Sequence, residues 1–261
     1  MPELPEIEAY LHALRPRIVG RELLRIRIPS FSVLRTYDPP IETAAARMVI
    51  DVGRLGKRIV VHLDGDLHLV IHLMVAGRLR WLSRARRFRN GVGWPCSPSM
   101  TGCCSSPKPE RIGRERHTLK RTLTDPALFS GIGGAFADEI LWAARLSPTQ
   151  MSTNLDAEET KRLYDATADT LRMWTAIRIE EIGDGFPSKV TAFHPDMVVH
   201  GKYGDPCPTC GAAIQRIVHG RRQTNYCPGC QTGGKILADR ALSRLLKDDR
   251  PKRIDDLHQQ G

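Results

Sequence analysis

The spacing of hydrophobic positions changes several times along the chain, and each change predicts a different element. Ile7, Leu11 and Leu14 recur at helical spacing over residues 5–16, where Pro5 suits a first helical position and Pro16 with Gly20 closes the segment. Leu24, Ile26 and Ile28 then alternate with Arg25 and Arg27, which predicts a strand. Val49–Val52 reads as a second strand. Arg58–Leu63 and Leu67–Leu73 flank Asp64-Gly65-Asp66 as a β-hairpin, and Gly77–Leu82 extends the same sheet. From Thr118 the pattern turns helical: Leu119, Leu123 and Leu128 lead into Gly131-Ile132-Gly133-Gly134. A second helix follows from about Ala135 to Arg145, with Phe136, Ile140 and Leu141 on one face. Leu163, Ala166, Leu171 and Trp174 predict a helix over 157–178, and Gly183-Asp184-Gly185 begins a loop. Short strands around cysteine pairs and a basic tail helix complete the chain. The expected class is α+β. Its predicted parts are a β-rich domain over 1–83, an atypical segment over 84–117, a helical domain over 118–200, a zinc ribbon over 201–247 and a tail over 248–261.

Composition sharpens this only in part. A chain of 261 residues, 41% hydrophobic and 26% charged, has the balance of a globular protein with room for one large or two modest cores. A net charge of +10 favours a polyanionic partner, nucleic acid first. However, Arg84–Arg116 carries eight Lys or Arg against two Glu, more than half of that surplus. Motifs must therefore carry the nucleic-acid reading. The same stretch holds Cys96, Cys103 and Cys104 with four prolines and no apolar period; it reads as a solvated basic loop or as a scrambled reading frame. No run of 18 apolar residues predicts a membrane span, and the acidic start lacks the features of a signal peptide, so the cytoplasm is the default location. A monomer is the default state for a chain with a nucleic-acid partner.

Cys207-Pro-Thr-Cys210 and Cys227-Pro-Gly-Cys230 are two C-x-x-C pairs separated by 16 residues. That spacing can place four thiolates around one Zn²⁺, and four thiolates leave no open coordination position, so the metal is expected to be structural. The competing reading is a pair of redox dithiols, but no βαβ redox pattern lies nearby. Between the pairs, Arg222 sits on a short hairpin where its planar fork suits a phosphate or where it is simply solvated.

The start Pro2-Glu3-Leu4-Pro5-Glu6 also has two readings. If Met1 is removed, Pro2 becomes a terminal secondary amine titrating near the ordinary α-amino value of about 8, partly neutral and nucleophilic. Glu3 beside it is then a general acid/base, and Glu6 lies one helical turn further on. The plainer reading is a helix start, with proline and acids in the first turn. Lys57, in Gly56-Lys57-Arg58, is equally a solvated turn lysine or a pocket residue.

Taken together, these motifs resemble the formamidopyrimidine-DNA glycosylase / endonuclease VIII family. The resemblance spans residues 1–82 and 118 to about 247. It implies an N-terminal β-sandwich with an N-terminal helix, a helix–two-turn–helix domain and a zinc finger. It also implies a DNA glycosylase/AP lyase of base excision repair acting on double-stranded DNA that contains oxidised bases or abasic sites. By this resemblance Pro2 is the nucleophile, Glu3 the acid/base, Glu6 a supporting carboxylate and Lys57 the pocket lysine. Lys120 and the Gly133 backbone grip phosphates, Arg222 clasps them from the finger, and Cys207, Cys210, Cys227 and Cys230 hold one Zn²⁺. Three departures stand out. Gly134 occupies the place of the family's asparagine. His72-Leu73-Met74-Val75 replaces His-Leu-Gly-Met, so Met74 and Val75 both compete for the role of gap-filling wedge. Finally, only 36 residues separate Trp81 from Thr118, where the family builds further strands. A second function therefore stays open: a DNA-binding remnant that uses only the helical domain and the finger.

Overall fold

The computed structural model describes residues 1–28, 30, 33–75, 77–82, 96–97, 116–188, 191–220, 222–237 and 252–257. Two units divide the chain: Met1–Ser105 with Met173–Ala192, and Ser106–Arg172 with Phe193–Gly261.

The first unit begins with helix α1, Leu4–Ile18. Its Ile7, Tyr10, Leu11 and Leu14 recur at i, i+3, i+4 and i+7, and all are buried in one cluster. The helix runs through Pro16 instead of stopping there. A proline so near the end removes a single intrahelical bond, and Arg17 Nη1 donates to the Ala13 carbonyl at 2.6 Å within the same last turn.

Five antiparallel strands form one sheet in sequential order: β1 Glu22–Leu23, β2 Arg47–Leu55, β3 Arg58–Leu63, β4 Leu67–His72 and β5 Cys96–Ser97. Ile59, Val61, Leu63 and Leu69 face α1 and share its core with Val49 and Val52. The predicted hairpin around Asp64-Gly65-Asp66 is present, with Leu63 opposite Leu67. Gly56, at φ 61°, and Lys57 form the two-residue turn joining β2 to β3, where glycine at the first central position matches the right-handed twist.

Two predicted strands are absent. The run Leu24–Ile28 is not strand, because β1 finds a partner only over Glu22↔Met48 and Leu23↔Arg47. Before Arg47 the chain turns at Ala46, φ 61°, so no neighbour remains to pair with. Gly77–Leu82 is irregular too; the Leu79 N–H is donated to the Tyr10 hydroxyl at 3.2 Å rather than to a strand. Of the expected β-sandwich, the described residues form this one sheet. Segment 84–117 lies outside the described residues except for 96–97 and 116–117.

In the second unit α2 spans Leu119–Thr124 and α3 Gly134–Ala143. α2 stops short of the predicted Leu128 because Asp125 precedes Pro126, which disfavours helical backbone; Asp125 Oδ1 instead accepts from the Ala127 N–H at 2.8 Å. Helix α4, Ala157–Ile182, begins in this unit and from Met173 belongs to the first; it is capped by Asp156, whose Oδ1 accepts from the Glu159 N–H at 2.7 Å, and ends at Gly183, φ 47°. Strands β6, Gln215–His219, and β7, Arg222–Tyr226, form a hairpin, followed by a short helix α5, Pro228–Thr232. Most of the predicted tail helix lies outside the described residues; Ile254–Leu257 form one 3₁₀ turn. No helix of the described residues is long and apolar enough to cross a membrane.

Candidate active site and nucleic-acid interface

At the head of α1 the chain folds its own acids inward. Pro2 and Glu3 are buried, and Glu6 is only 1% exposed. Glu6 Oε2 accepts from the Glu3 N–H at 2.8 Å, closing a capping box in which glutamate replaces the usual serine or threonine. Its Oε1 lies 3.3 Å from Nε of Arg178 on α4. That guanidinium is itself held, with Nη2 donating to the Thr191 carbonyl at 2.9 Å and Nη1 to Glu181 at 3.1 Å, over the ring of Trp174. Burial pushes the Glu6 carboxyl above its ordinary value, while the Glu3 N–H and Arg178 work against that rise.

Lys57 joins this group. Burial lowers its ammonium, and the charges of Glu3 and Glu6 oppose the fall, so the β2–β3 turn delivers its lysine to the acids of α1. His72, opposite Arg58 in register, is lowered by burial and then by Arg58 and Lys57, which makes this end of the sheet a cationic margin. Beside Glu6 and Arg178 opens a cavity of about 250 Å³, walled further by Ile182, Gly185, Phe186 and Pro187. Sequence reading missed Arg178. An arginine late in a long amphipathic helix carries no local signal, and its partner lies 172 residues away.

Just past β4, Met74 is 49% and Val75 76% exposed. Met74 adopts φ 52°, a backbone that suits glycine. This is the position that holds glycine in the family motif.

The second unit has its own polar centre. Asp138 on α3 is fully buried, with Oδ1 2.7 Å from Lys120 Nζ and Oδ2 2.8 Å from His200 Nδ1 and 3.2 Å from Asn225 Nδ2. Lys120 donates as well to the Gln223 carbonyl. Its neighbour Glu139 accepts the N–H groups of Val198, Val199 and His200 at 2.9, 2.9 and 2.8 Å. Burial raises the Glu139 carboxyl and those donors restrain it. Adjacent acids in an otherwise apolar helix, Asp138-Glu139, were the available signal for this centre. Gly133 caps α3 and is buried, while Gly134 is exposed with nothing within 4 Å of a Cβ placed there. Arg222 opens β7 on the surface; Arg221 lies outside the described residues.

Cys207, Cys210, Cys227 and Cys230 offer sulfurs all within 4.8 Å of one another, with Cys207–Cys230 at 3.8 Å and Cys210–Cys227 at 3.3 Å. Thiolates on a tetrahedral zinc stand roughly 3.8 Å apart. At Cys207 the surroundings fit a charged sulfur. The buried Trp142 Nε1 has no oxygen or nitrogen partner and turns to Cys207. Burial pushes the Cys207 thiol up, but the Thr209 and Cys210 N–H groups, the Trp142 indole and Cys227 outweigh it and hold it at about 6.

Comparison with known proteins agrees with this geometry. Family profiles match the formamidopyrimidine-DNA glycosylase N-terminal domain over residues 1–125, the formamidopyrimidine-DNA glycosylase H2TH domain over 97–187, and the zinc finger found in FPG and IleRS over 204–233. A formamidopyrimidine-DNA glycosylase of Heliobacterium modesticaldum is 30% identical, covering 88% of this chain and 100% of its own.

This chain belongs to the formamidopyrimidine-DNA glycosylase family.

Another glycosylase of the family, from Thermus thermophilus, is also 30% identical over 90% of this chain and all of its own. The crystal structure of the Thermus thermophilus MutM (FPG) protein superimposes with a TM-score of 0.68 at 28% identity, covering 88% of this chain and 98% of that one. A Lactococcus lactis FPG mutant in complex with Fapy-dG-containing DNA shares the fold, with a TM-score of 0.73 at 22% identity over 88% and 100% of the two chains. The N-terminal β sheet, the H2TH domain and the zinc finger are thus those of the family, and the four cysteines are the finger's ligands for one structural zinc.

Proposed function

We propose that this protein is a bifunctional DNA glycosylase/AP lyase that removes oxidised bases from double-stranded DNA through an iminium on Pro2. The observation that carries this reading is the convergence of Glu3, Glu6 and Lys57, from two distant parts of the first unit, on the head of the helix that begins beside Pro2. The damaged base is rotated out of the stack, and we assign the cavity beside Glu6 and Arg178 to it. With Met1 removed, the Pro2 nitrogen attacks C1′, the bond from C1′ to the base breaks, and the base leaves with the electron pair and gains a proton. Glu3 protonates the ring oxygen as the sugar opens. The iminium then acts as an electron sink. Loss of a C2′ proton expels the 3′ phosphate, loss of a C4′ proton expels the 5′ phosphate, and water releases the amine.

Lys57, with Arg58 and His72 beside it, binds the backbone at the lesion. Lys120, the Gly133 amide and Arg222 bind phosphates from the second unit, with Asp138 orienting Lys120. Val75 aligns with the family's methionine wedge and Met74 with its glycine, so Val75 takes the wedge role here. The finger's zinc is structural and takes no part in the chemistry.

Borohydride trapping tests the proposal. Reduction freezes an iminium into a stable bond, so a duplex with one abasic site is expected to crosslink to the intact protein and not to Pro2→Gly. Gel-shifted DNA with no crosslink would replace the enzyme with a DNA-binding remnant. Equal crosslinking by both proteins would remove Pro2 from the nucleophile role.

A further inference from the structure

On the face of the N-terminal sheet turned away from α1, two histidines meet. His62 in β3 and His68 in β4 are direct cross-strand partners, and their Nδ1 atoms lie 3.2 Å apart. The rings stand edge to face, with 76° between planes and 4.8 Å between centres. Two arrangements bring imidazole nitrogens this close. A linear N–H···N hydrogen bond sets the ring centres about 5.5 Å apart, and a bent, weaker one brings them closer. Two rings ligating one ion at roughly 2.0–2.1 Å, with a bite between a right angle and the tetrahedral value, set the nitrogens about 2.9–3.4 Å and the centres about 4.5–5.2 Å apart. Both observed separations fall within the second pair of ranges.

The neighbours suit an ion. His68 Nε2 lies 3.5 Å from Oδ1 of the exposed Asp66, near enough for the carboxylate to favour positive charge at the pair. His62 leans over Gly53 of β2, where a Cβ would stand 3.2 Å from His62 Nε2, so glycine leaves the ring free to take this pose. Both rings are partly buried and partly in reach of solvent.

We propose that His62 and His68 form a second metal site, a two-imidazole clamp for a divalent first-row ion that prefers nitrogen, such as Zn²⁺ or Ni²⁺. Among the described residues no third His, Cys or carboxylate ligand joins them, so water fills the remaining positions and the ion exchanges far more readily than the zinc held by four cysteines. The site is independent of the acids at the head of α1 and of the finger.

The test uses untagged, zinc-replete, full-length protein dialysed against Ni²⁺ and analysed for metals. The expected result is one zinc and one nickel per chain. His62→Asn and His68→Asn each lower nickel affinity at least tenfold and keep the zinc. Absence of nickel from the intact protein overturns the site, as does equal nickel binding by the double variant. Should the variants fold poorly, footprinting of the intact protein with diethylpyrocarbonate decides. Ni²⁺ is expected to protect His62 and His68 selectively, and unprotected or uniformly protected histidines refute the clamp.

Discussion

Removing Arg178 leaves Glu6 buried in the core of the first unit without its guanidinium partner. The two side chains are 10% and 1% exposed and 3.3 Å apart, so solvent screens them little. At that separation and an effective dielectric of about 20, their attraction is about 5 kcal/mol. Part of this repays the desolvation of both groups, and breaking such a pair from one side costs about 3–5 kcal/mol. Arg178→Met is therefore expected to lose about 3–5 kcal/mol at pH 7.5. The double variant with Glu6→Gln should lose clearly less than the sum of the singles, with a coupling of about 2–3 kcal/mol. The pH dependence follows from the sign of the shift. Glu6 is raised above its ordinary 4.5 in the folded protein, so its contribution to stability is fullest below that value and fades as pH rises through the raised one. Without Arg178 it is raised further, and the deficit of Arg178→Met should narrow on acidification from pH 7.5 toward pH 5. Urea unfolding followed by tryptophan fluorescence measures both effects. Additive losses within about 0.5 kcal/mol, or a deficit indifferent to pH, would refute the claim that Arg178 acts on Glu6.

Four other outcomes follow from the second unit. Gly134→Asn places a donor where nothing lies within 4 Å, and is expected to tighten binding to an abasic duplex about fivefold, a hydrogen bond of roughly 1 kcal/mol, with an unchanged salt slope; weaker binding in a gel-shift titration would show that the open space does not face a phosphate. Arg222→Ala should weaken binding to all sequences and flatten the logarithmic salt dependence by about one unit, and an unaltered slope removes Arg222 from the phosphate contacts. Chelating zinc should unfold the finger and abolish DNA binding; Trp142→Phe, which removes the N–H turned to Cys207, should release zinc to a chelator faster than the intact protein does. Equal release rates would leave that indole with a packing role alone.

Local chemistry made much of this protein legible before any coordinates. The cysteine spacing, the Pro-Glu-Leu-Pro-Glu start, the helical periods of α1, α3 and α4, and the Asp-Gly-Asp hairpin are each short-range patterns in which neighbours along the chain are also neighbours in space. The strand expected at Leu24–Ile28 failed because alternation describes one strand, whereas a ladder needs two, and β2 ends at the turn of Ala46. The same limit hid the partners of the candidate site. Arg178 reaches Glu6, Lys57 feels the charges of Glu3 and Glu6, Asp138 gathers Lys120, His200 and Asn225, and His62 meets His68 nitrogen to nitrogen. The sequence by itself determined which residues could carry charge, hold metal or begin a helix. Which of them share a desolvated space, and so shift one another's proton affinity, was decided only when the chain closed. Burial and distances of a few ångströms set those energies, and neither is written in the spacing of residues along the chain.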